Sequence, residues 1–398
     1  MAPKKKPTGE INLQDLASNA GLVILRDSDY ALIEDRLPTF FPNVDRIFGG
    51  GLPFGRMVEI SGKPGGGKST ICFHVARVAT ALNCIVVLID VEGTADRDRL
   101  AHLGIDINKV LVKQPDESKG IRLTVEEIGR TIEQTLEVFK EAYPDKHVVF
   151  IWDSVGQTPS EDELGKDYGE KNVGSRAKAI TQFVTKIAPQ ISESKSLLIG
   201  INQVRDDIGG NPMFKTFNTP GGKAWEHYAS LRLEMKKKQA IKKGTENIGH
   251  DLGVKTNKSK VSRPFQEVNA YLISDDGLPY EYNIAKMAEE NKILTPVGQS
   301  YEYTDRFGTT HKMKRENFIS WLAEEGQPVR EELLNRLILI EFPEGYPALN
   351  NKSLDISGWL DQVWTSPVTV ESVAQSAPVD TFLEEDLIAD IEKEIQGE

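Results

Sequence analysis

The residues with the clearest chemical potential form a glycine-rich stretch that ends in a lysine and a hydroxyl side chain. It reads Gly62-Lys63-Pro64-Gly65-Gly66-Gly67-Lys68-Ser69, followed by Thr70. In such a G-x-x-x-x-G-K-[ST] loop, backbone N–H groups and a helix start surround the phosphates, the lysine reaches the outer phosphates and the hydroxyl binds Mg²⁺. The spacing therefore predicts that residues 62–70 bind a nucleoside triphosphate, with Lys68 on its phosphates and Ser69 on Mg²⁺.

Three further polar side chains follow apolar runs of the kind that form buried strands. The run Val148–Trp152 ends in Asp153, and an acid at that place completes the Mg²⁺ shell of a phosphate-loop site. Hydrolysis also needs a carboxylate that orients the attacking water. Glu92 is our candidate, because it closely follows Ile85–Ile89, the strand that comes next in chain order after the phosphate loop. Gln203 closes the run after Asp153, where a neutral amide can contact the γ-phosphate.

Two polar stretches, Ser160–Gly174 and Val204–Gly222, follow the last two of these strands. A structureless stretch as long as the second is usually functional in a compact domain. It carries Arg205, Phe214 and Phe217, and such cations bind phosphates while exposed aromatic rings stack on bases. Loops at the carboxyl ends of neighbouring strands lie beside the ligand in open α/β sheets. We therefore predict two nucleic-acid-binding loops beside the nucleotide.

The elements that must position these residues alternate between strands and helices. Helical patterns at Thr124–Ala142 and Ser175–Ser192 separate the apolar runs, and a strand Arg56–Ser61 precedes the phosphate loop. This alternation predicts an α/β fold with a mostly parallel, doubly wound sheet. Beyond Tyr228 we expect further, antiparallel strands at one side of the sheet: Leu231–Met235, Gly253–Thr256 and Val268–Ile273.

The ends of the chain differ from this core. Residues 1–35 are predicted to form a short N-terminal segment used in oligomerisation, with a helix over Glu10–Ala20 and a strand over Leu22–Leu25. Residues 36–275 form the core, and 276–345 a small α+β C-terminal domain. In that domain we expect helices over Ile284–Asn291, Arg315–Glu324 and Val329–Ile340 and a hairpin over Tyr301–Lys312. Residues 346–398 are predicted to form a linker and an acidic tail.

Composition and charge narrow the class of protein. No apolar run is long enough to span a bilayer, and no apolar region follows the basic start, so we expect neither a membrane span nor a secretory signal. Cys72 and Cys84 are expected in the core, which fits a reducing cytoplasm. The net charge is −12, but residues 236–263 carry +7 and residues 380–398 carry −7. We therefore predict a polyanion-binding site and expect the acidic tail to regulate access to it.

The motifs in their order identify a family. The chain resembles the RecA family of DNA strand-exchange recombinases over about residues 20–340. The resemblance is closer to the bacterial branch. It rests on GLPFGRMVEISGKPGGGKST, IDVEGTADRDRLAHLGID, FIWDSVGQTP, INQVR, TPGGKAWEHYASLRLEM and KSKVSRPF. The resemblance implies a RecA-type phosphate-loop ATPase core with ATP and Mg²⁺ as cofactors. It also implies a location in the cytoplasm of a bacterial or phage-infected cell.

The resemblance also implies roles for individual residues. Glu92 is similar to the family's catalytic carboxylate, Asp153 to its Mg²⁺-shell acid and Gln203 to its γ-phosphate sensor. Asp96 lies where the family contacts adenine, while Lys258 and Lys260 match lysines that reach the γ-phosphate of a neighbouring subunit. The implied DNA-binding residues are Val173, Gly174, Lys178, Arg205, Phe214, Phe217, Thr219, Gly221, Gly222 and Lys223.

Some positions depart from the family pattern. Arg99 stands where an adenine-stacking tyrosine is common, and a guanidinium can also stack, so the nucleotide preference stays open. His227 replaces a common interface phenylalanine. The N-terminal helix resembles a shortened form of the bacterial one, as expected of a viral version of the family.

The function that the resemblance implies is an ATP-dependent recombinase. It would form helical filaments of the protein on single-stranded DNA, pair that strand with duplex DNA and exchange strands in recombination and repair, with single-strand-binding or mediator proteins as partners. Two alternatives stay open. One is a hexameric motor or repair accessory ATPase with the same core, and the other is a DNA-binding regulator without hydrolysis. Closed rings would favour the motor, and an absence of phosphate release would favour the regulator.

Overall fold

A computed structural model of the chain describes residues 12–27, 32–116, 118, 120–165, 174–206, 217–218 and 222–356. The helices are α1 (Leu13–Ala20), α2 (Pro42–Phe48), α3 (Lys68–Ala81), α4 (Arg97–His102), α5 (Val125–Ala142), α6 (Glu161–Leu164), α7 (Ser175–Glu193), α8 (Gly222–Tyr228), α9 (Tyr280–Glu290), α10 (Arg315–Ala323) and α11 (Gln327–Glu341). Within these residues, no helix is both long enough and apolar enough to cross a bilayer.

In the described residues, the strands form one main sheet, a three-stranded sheet and two strand pairs. They are β1 (Arg36–Leu37), β2 (Leu52–Pro53), β3 (Arg56–Gly62), β4 (Ile85–Asp90), β5 (Val110–Lys113), β6 (Val148–Asp153), β7 (Leu197–Gln203), β8 (Arg205–Asp206), β9 (Phe217–Asn218), β10 (Leu231–Lys243), β11 (Glu246–Ser259), β12 (Glu267–Ile273), β13 (Thr295–Val297), β14 (Ser300–Thr304) and β15 (Thr310–Lys314). Over the described ranges, the main sheet has the order β12-β11-β10-β3-β7-β6-β4-β5.

The main sheet is mostly parallel, as predicted. The strands from β10 to β5 run parallel to one another, and β11 and β12 are antiparallel to their neighbours. The prediction of antiparallel strands after Tyr228 is thus confirmed for β11 and β12 and wrong for β10. Parallel strands require a crossover connection, and the long stretch between β7 and β10 supplies one.

Each face of the sheet carries its own apolar cluster. On one face, Ile71, Val75 and Val78 of α3 pack with the residues of β3 and β7 that point to that side. On the other face, α5 and α7 cover Phe150 and Trp152 of β6. Strands covered on both faces explain the continuous apolar runs, and the doubly wound architecture is confirmed.

Four elements had weak sequence signals. The helix α2 is short, and the edge strand β5 leaves Leu111 and Val112 half exposed. The strands β10 and β11 extend well beyond the predicted Leu231–Met235 and Gly253–Thr256, and the added part of β10, Lys236–Lys243, is mostly exposed and rich in lysine. A strand segment that is exposed on both sides has no apolar alternation to indicate it.

The predicted strand at Leu22–Leu25 is wrong. The helix α1 ends at Gly21, whose φ of +65° turns the chain, and Leu22 N–H donates to the carbonyl of Ala17. The chain then enters a short 3₁₀ turn at Leu25–Asp27. The backbone donors of this stretch thus close the helix instead of pairing with a strand. Of the predicted helix over Glu10–Ala20, the first two residues lie outside the described ranges.

The C-terminal unit shares a core with the sheet. Its three helices closely match the predicted ones, and β14 and β15 form the predicted hairpin, with β13 added at its edge. Leu333, Leu334 and Leu337 of α11 belong to the same apolar cluster as Phe41 and Val44 near α2. The domain boundaries themselves stay predictions.

Residues 351–356, part of the predicted linker, form a strap across the start of the core. The side chain of Asn351 donates to the carbonyl of Arg36 and accepts from its N–H, both at 2.8 Å. The N–H groups of Ser353 and Leu354 donate to Asp35. Slightly earlier in the chain, the hydroxyl of Tyr346 donates to buried Asp45 at 2.6 Å. This part of the predicted linker is therefore packed on the core.

Candidate nucleotide and DNA site

The predicted nucleotide-binding residues meet at the carboxyl edge of the sheet. Gly62 at the end of β3 is paired with Gln203 at the end of β7. Asp90 at the end of β4 is likewise paired with Asp153 at the end of β6. Although β4 follows β3 along the chain, β7 and β6 lie between them in the sheet. The strand order thus puts Gln203 directly beside the phosphate loop, while Glu92 must reach it from a more distant strand.

The phosphate loop has the geometry that its glycines allow. Gly65 and Gly67 have φ values of +67° and +84°, a region that favours glycine. A Cβ on Gly62 would lie 2.5 Å from the carbonyl oxygen of Met235, and one on Gly66 would lie 2.9 Å from that of Lys63. The loop therefore closes tightly before α3 begins at Lys68, and it presents its N–H groups at a helix start.

Lys68 lies folded over this loop. Its Nζ donates to the carbonyl of Lys63 at 2.9 Å, and the side chain is largely buried. Burial lowers the pKa of Lys68, and the negative charges of Asp153 and Glu92 oppose that shift. The ammonium group thus lies over the loop, held by a backbone carbonyl of that loop.

Ser69 and Asp153 are already joined. The Ser69 hydroxyl donates to Oδ2 of Asp153 at 2.8 Å. No cluster of three or more His, Cys, Asp or Glu side chains suited to a metal occurs in the part of the chain that the structure describes. One hydroxyl and one carboxylate fit Mg²⁺, which usually keeps several waters and binds through one or two carboxylates plus phosphates. The donor set therefore fits Mg²⁺ bound together with a nucleotide.

Burial raises the pKa of Asp153. The hydrogen bond from Ser69 opposes this shift, and the nearby charges of Glu92 and Asp90 add to it. The charge of Glu92 therefore lies near enough to Asp153 to influence its ionisation. Glu92 itself is exposed at the start of the loop that follows β4.

Asp90 holds the loop that carries Glu92, a role that we did not predict. Its Oδ1 accepts from the N–H of Gly93 at 3.1 Å, and its Oδ2 accepts from the N–H of Ala95 at 2.7 Å. The amide of Gln114 donates to the same Oδ2 at 2.9 Å. Asp90 is buried, so these donors compensate its charge. The acid at the strand end was visible in the sequence, but its partners were not.

Asp96 and Arg99 lie beside one another at the start of α4. Asp96 is the N-cap, and its carboxylate accepts from Arg99 N–H at 2.6 Å. The guanidinium of Arg99 donates to the carbonyls of Ser274 and Asp275 at 2.7 and 2.8 Å. Those two bonds fix the plane of the guanidinium, which leaves its face as the surface available for stacking.

Lys258 and Lys260 both reach the C-terminal end of α8. Their Nζ atoms donate to the carbonyl of His227 at 3.0 and 3.2 Å, and Lys258 also donates to that of Glu226. Cations stabilise a helix at this end, where backbone carbonyls lack partners within the helix. In the single chain, the two predicted interface lysines are therefore held by the helix that follows the second DNA loop.

The structure describes some of the predicted DNA-binding residues, and the others lie outside the described ranges. Gly174 is the N-cap of α7 with a φ of +84°, and Lys178 is exposed in its first turn. Lys223 is exposed on α8, which begins at Gly222. The backbones of Arg205 and Phe217 lie in the short antiparallel pair β8–β9. Val173, Phe214, Thr219 and Gly221 lie outside the described residues.

Trp225 anchors α8 to the sheet. Its ring is buried, lies edge-on to Trp152 with centroids 5.7 Å apart, and stacks on Phe183 at 6.2 Å. Gly200 of β7 provides the space, because a Cβ there would lie 2.1 Å from Cζ2 of Trp225. The helix at the end of the second loop is thus fixed against β6, β7 and α7.

Replacing Gly200 by Ala is expected to lower the free energy of unfolding by about 1–3 kcal/mol, since the tryptophan must move or the strand must shift. Urea titration followed by tryptophan fluorescence measures the change. The control is Gly129→Ala in α5, where the new Cβ would meet Phe183 at an ordinary 3.4 Å. Equal effects of the two substitutions would contradict the steric argument.

The basic stretch 236–263 is partly neutralised by acids elsewhere. Lys238 lies 2.7 Å from Glu267, Lys236 lies 3.8 Å from the same residue, and Lys243 lies 3.9 Å from Glu316. The charge counted along the sequence therefore overstates the charge that this surface offers to a polyanion. The acidic tail, residues 380–398, lies outside the described residues.

Comparison with known proteins agrees with this geometry. Residues 35–279 match the family model of the RecA N-terminal domain. Protein RecA of Thermotoga neapolitana is 30% identical over 344 residues, which is 84% of this chain and 93% of that protein. Protein RecA of Clostridium acetobutylicum is 32% identical over 309 residues, which is 76% of this chain and 82% of that protein. The chain therefore belongs to the RecA family of recombinases.

Proposed function

We propose that this protein hydrolyses ATP in a DNA-dependent manner and uses the bound nucleotide to assemble into helical filaments on single-stranded DNA, which it pairs with duplex DNA for strand exchange. One observation carries the proposal. The phosphate loop, the Ser69–Asp153 pair and Gln203 meet at one sheet edge, from which both predicted DNA loops start. Nucleotide and DNA would thus bind side by side.

Each residue of the edge has a chemical task in hydrolysis. Lys68 would move from the Lys63 carbonyl to the outer phosphates. Ser69 and Asp153 would hold Mg²⁺, which neutralises charge on the phosphates when bound. Glu92 would orient the attacking water and accept its proton, and the amide of Gln203 would contact the γ-phosphate. Gln203 precedes the second DNA loop, so this contact would reach the DNA site.

The lysines at the end of α8 give nucleotide a role in assembly. Lys258 and Lys260 would leave the carbonyls of α8 and reach the γ-phosphate of the neighbouring subunit. Their positive charge in trans would be compensated only when that subunit holds nucleotide. Filament contacts would then form with ATP and loosen after hydrolysis.

The base and the DNA would be held by less specific contacts. Asp96 and the face of Arg99 would flank the base. The loops 160–174 and 204–222 would bind single-stranded DNA by cations and stacking. Duplex DNA and single-strand-binding or mediator proteins are the further partners proposed, in the cytoplasm of a bacterial or phage-infected cell.

The raised pKa of Asp153 predicts how nucleotide binding depends on pH. Only the ionised carboxylate holds Mg²⁺, so Mg²⁺-dependent affinity for an ATP analogue should fall as the pH falls through this pKa, at a pH above that of an ordinary aspartate. Fluorescence titration at subsaturating Mg²⁺ across pH 4–8 measures the midpoint. Glu92→Gln removes a charge that raises the pKa and should move the midpoint to lower pH. A midpoint unaffected by that substitution would contradict this account.

The test of the function is ATP hydrolysis by the purified protein with and without single-stranded DNA, with electron microscopy of the same samples. Strong stimulation by DNA together with extended helical filaments is expected. Hydrolysis that is independent of DNA, with closed rings, would favour a hexameric motor. No phosphate release at saturating DNA would favour a regulator without hydrolysis.

A further inference from the structure

Glu59 is a fully buried carboxylate near the middle of β3, three residues before the phosphate loop. A charge in this position is costly unless it is paired and hydrogen-bonded. Its Oε1 accepts from the side-chain amide of Asn202 at 2.9 Å, and its Oε2 accepts from Nε of Arg232. Asn202 belongs to β7 and Arg232 to β10, the two neighbours of β3. One carboxylate thus joins the three central strands.

The contacts continue from Arg232 to α8. Nη2 of Arg232 donates to Oε1 of Glu226 at 3.1 Å. The backbone carbonyls of Glu226 and His227 are those that hold Lys258 and Lys260. Polar contacts, together with the backbone of α8 at Glu226 and His227, therefore connect Asn202, the residue before Gln203, with the two lysines.

A buried ion pair often contributes only to stability. The position of this ion pair, between two functional parts of the protein, indicates a further role. One end adjoins the residue proposed to contact the γ-phosphate. The other end holds the helix that follows the second DNA loop and the lysines proposed to act between subunits. These elements must respond together if nucleotide controls DNA binding.

We infer that Glu59 is a positioning residue that, through Arg232 and Glu226, fixes α8 and the two lysines relative to the nucleotide end of β7 and so couples nucleotide binding to DNA binding. The inference rests on the proposed function. It concerns an energetic coupling, defined by the ratio of single-stranded DNA dissociation constants without and with nucleotide.

The experiment measures this ratio with a fluorescent oligothymidylate, Mg²⁺ and a non-hydrolysable ATP analogue. Glu59→Gln should lower the ratio by about tenfold, while the affinity for the analogue without DNA changes by less than about threefold. Glu226→Gln, at the partly exposed end of the series, should lower the ratio by about threefold. The control is Glu234→Gln, a glutamate on β10 that bonds to Asn257 instead, and it should leave the ratio unchanged.

Two readouts separate coupling from simple loss of stability. A purely structural role would lower the urea midpoint of Glu59→Gln and weaken DNA binding equally with and without nucleotide, so an unchanged ratio would overturn the inference. If Glu59→Gln fails to fold, Glu226→Gln decides by the same criterion. A ratio near one in the unmodified protein would instead overturn the proposed function, and the inference with it.

Discussion

Replacing Glu92 by Gln is expected to lower the turnover number of DNA-stimulated ATP hydrolysis by about 10²- to 10⁴-fold, the usual contribution of a general base. The amide keeps the size of the side chain and still accepts a hydrogen bond, but it cannot take the proton of the attacking water. Because Asp90 holds the loop through backbone N–H groups, the loop should keep its conformation. Phosphate release at saturating ATP and DNA measures the effect.

Filament formation should survive this substitution, since binding and hydrolysis use different groups. The variant should therefore stay longer on single-stranded DNA after ATP is added than the unmodified protein does. Glu137→Gln is the matched control, because this glutamate is exposed on α5. A turnover number within about threefold of the unmodified protein would remove Glu92 from the role of general base.

Replacing Asp45 by Ala is expected to lower the free energy of unfolding at pH 7.5 by about 3 kcal/mol. The fully buried carboxylate accepts from the N–H and hydroxyl of Thr39, the N–H of Phe40 and the hydroxyl of Tyr346. Alanine would leave these donors buried without partners, at a cost of about 1–3 kcal/mol for each group that water cannot reach. Urea unfolding followed by circular dichroism measures the loss. Asp98→Ala, on an exposed surface of α4, is the control and should change stability by less than about 0.5 kcal/mol.

The same residue should give this stability a dependence on pH. Burial raises the pKa of Asp45 to about 6, against the hydrogen bonds from Tyr346, Thr39 and Phe40. Because the folded pKa lies above the unfolded one, the protonated form stabilises the fold fully below about pH 4. That contribution, about 3 kcal/mol, is lost as the pH rises to about 6. The difference in stability between the unmodified protein and Asp45→Ala should therefore be larger below about pH 4. It should shrink, as the pH rises to about 6, to the value expected at pH 7.5. A constant difference would contradict the buried, titrating carboxylate.

Local sequence signals were sufficient for the elements whose residues are neighbours in the chain. The phosphate loop requires its glycines within a few residues of one another, and buried strands such as β6 are continuous apolar runs. The helix α5 begins where Thr124 caps it, next to the predicted start. The meeting of Ser69 with Asp153 also followed from strand ends alone, because parallel strands end at one edge.

Contacts between residues far apart in the chain had no such signal. Glu59 appeared to be one polar residue in a strand, and only the strand order brings Arg232 and Asn202 to it. The same holds for the guanidinium of Arg99 on the carbonyls of residues 274 and 275. The edge strand β5 was missed since its apolar run covers only three residues, and Leu111 and Val112 are half exposed.

The strap over residues 351–356 has a consequence for how the protein is made. Asp35 and the N–H of Ser353 that bonds to it are 318 positions apart. At about 5–20 residues per second, a ribosome needs roughly 15–60 seconds to add that length of chain. Throughout this time, the nascent chain must exist without the groups that pair with β1 and with the buried carboxylate of Asp35. We expect newly made chains to be recognised by chaperones until the last of these residues emerges.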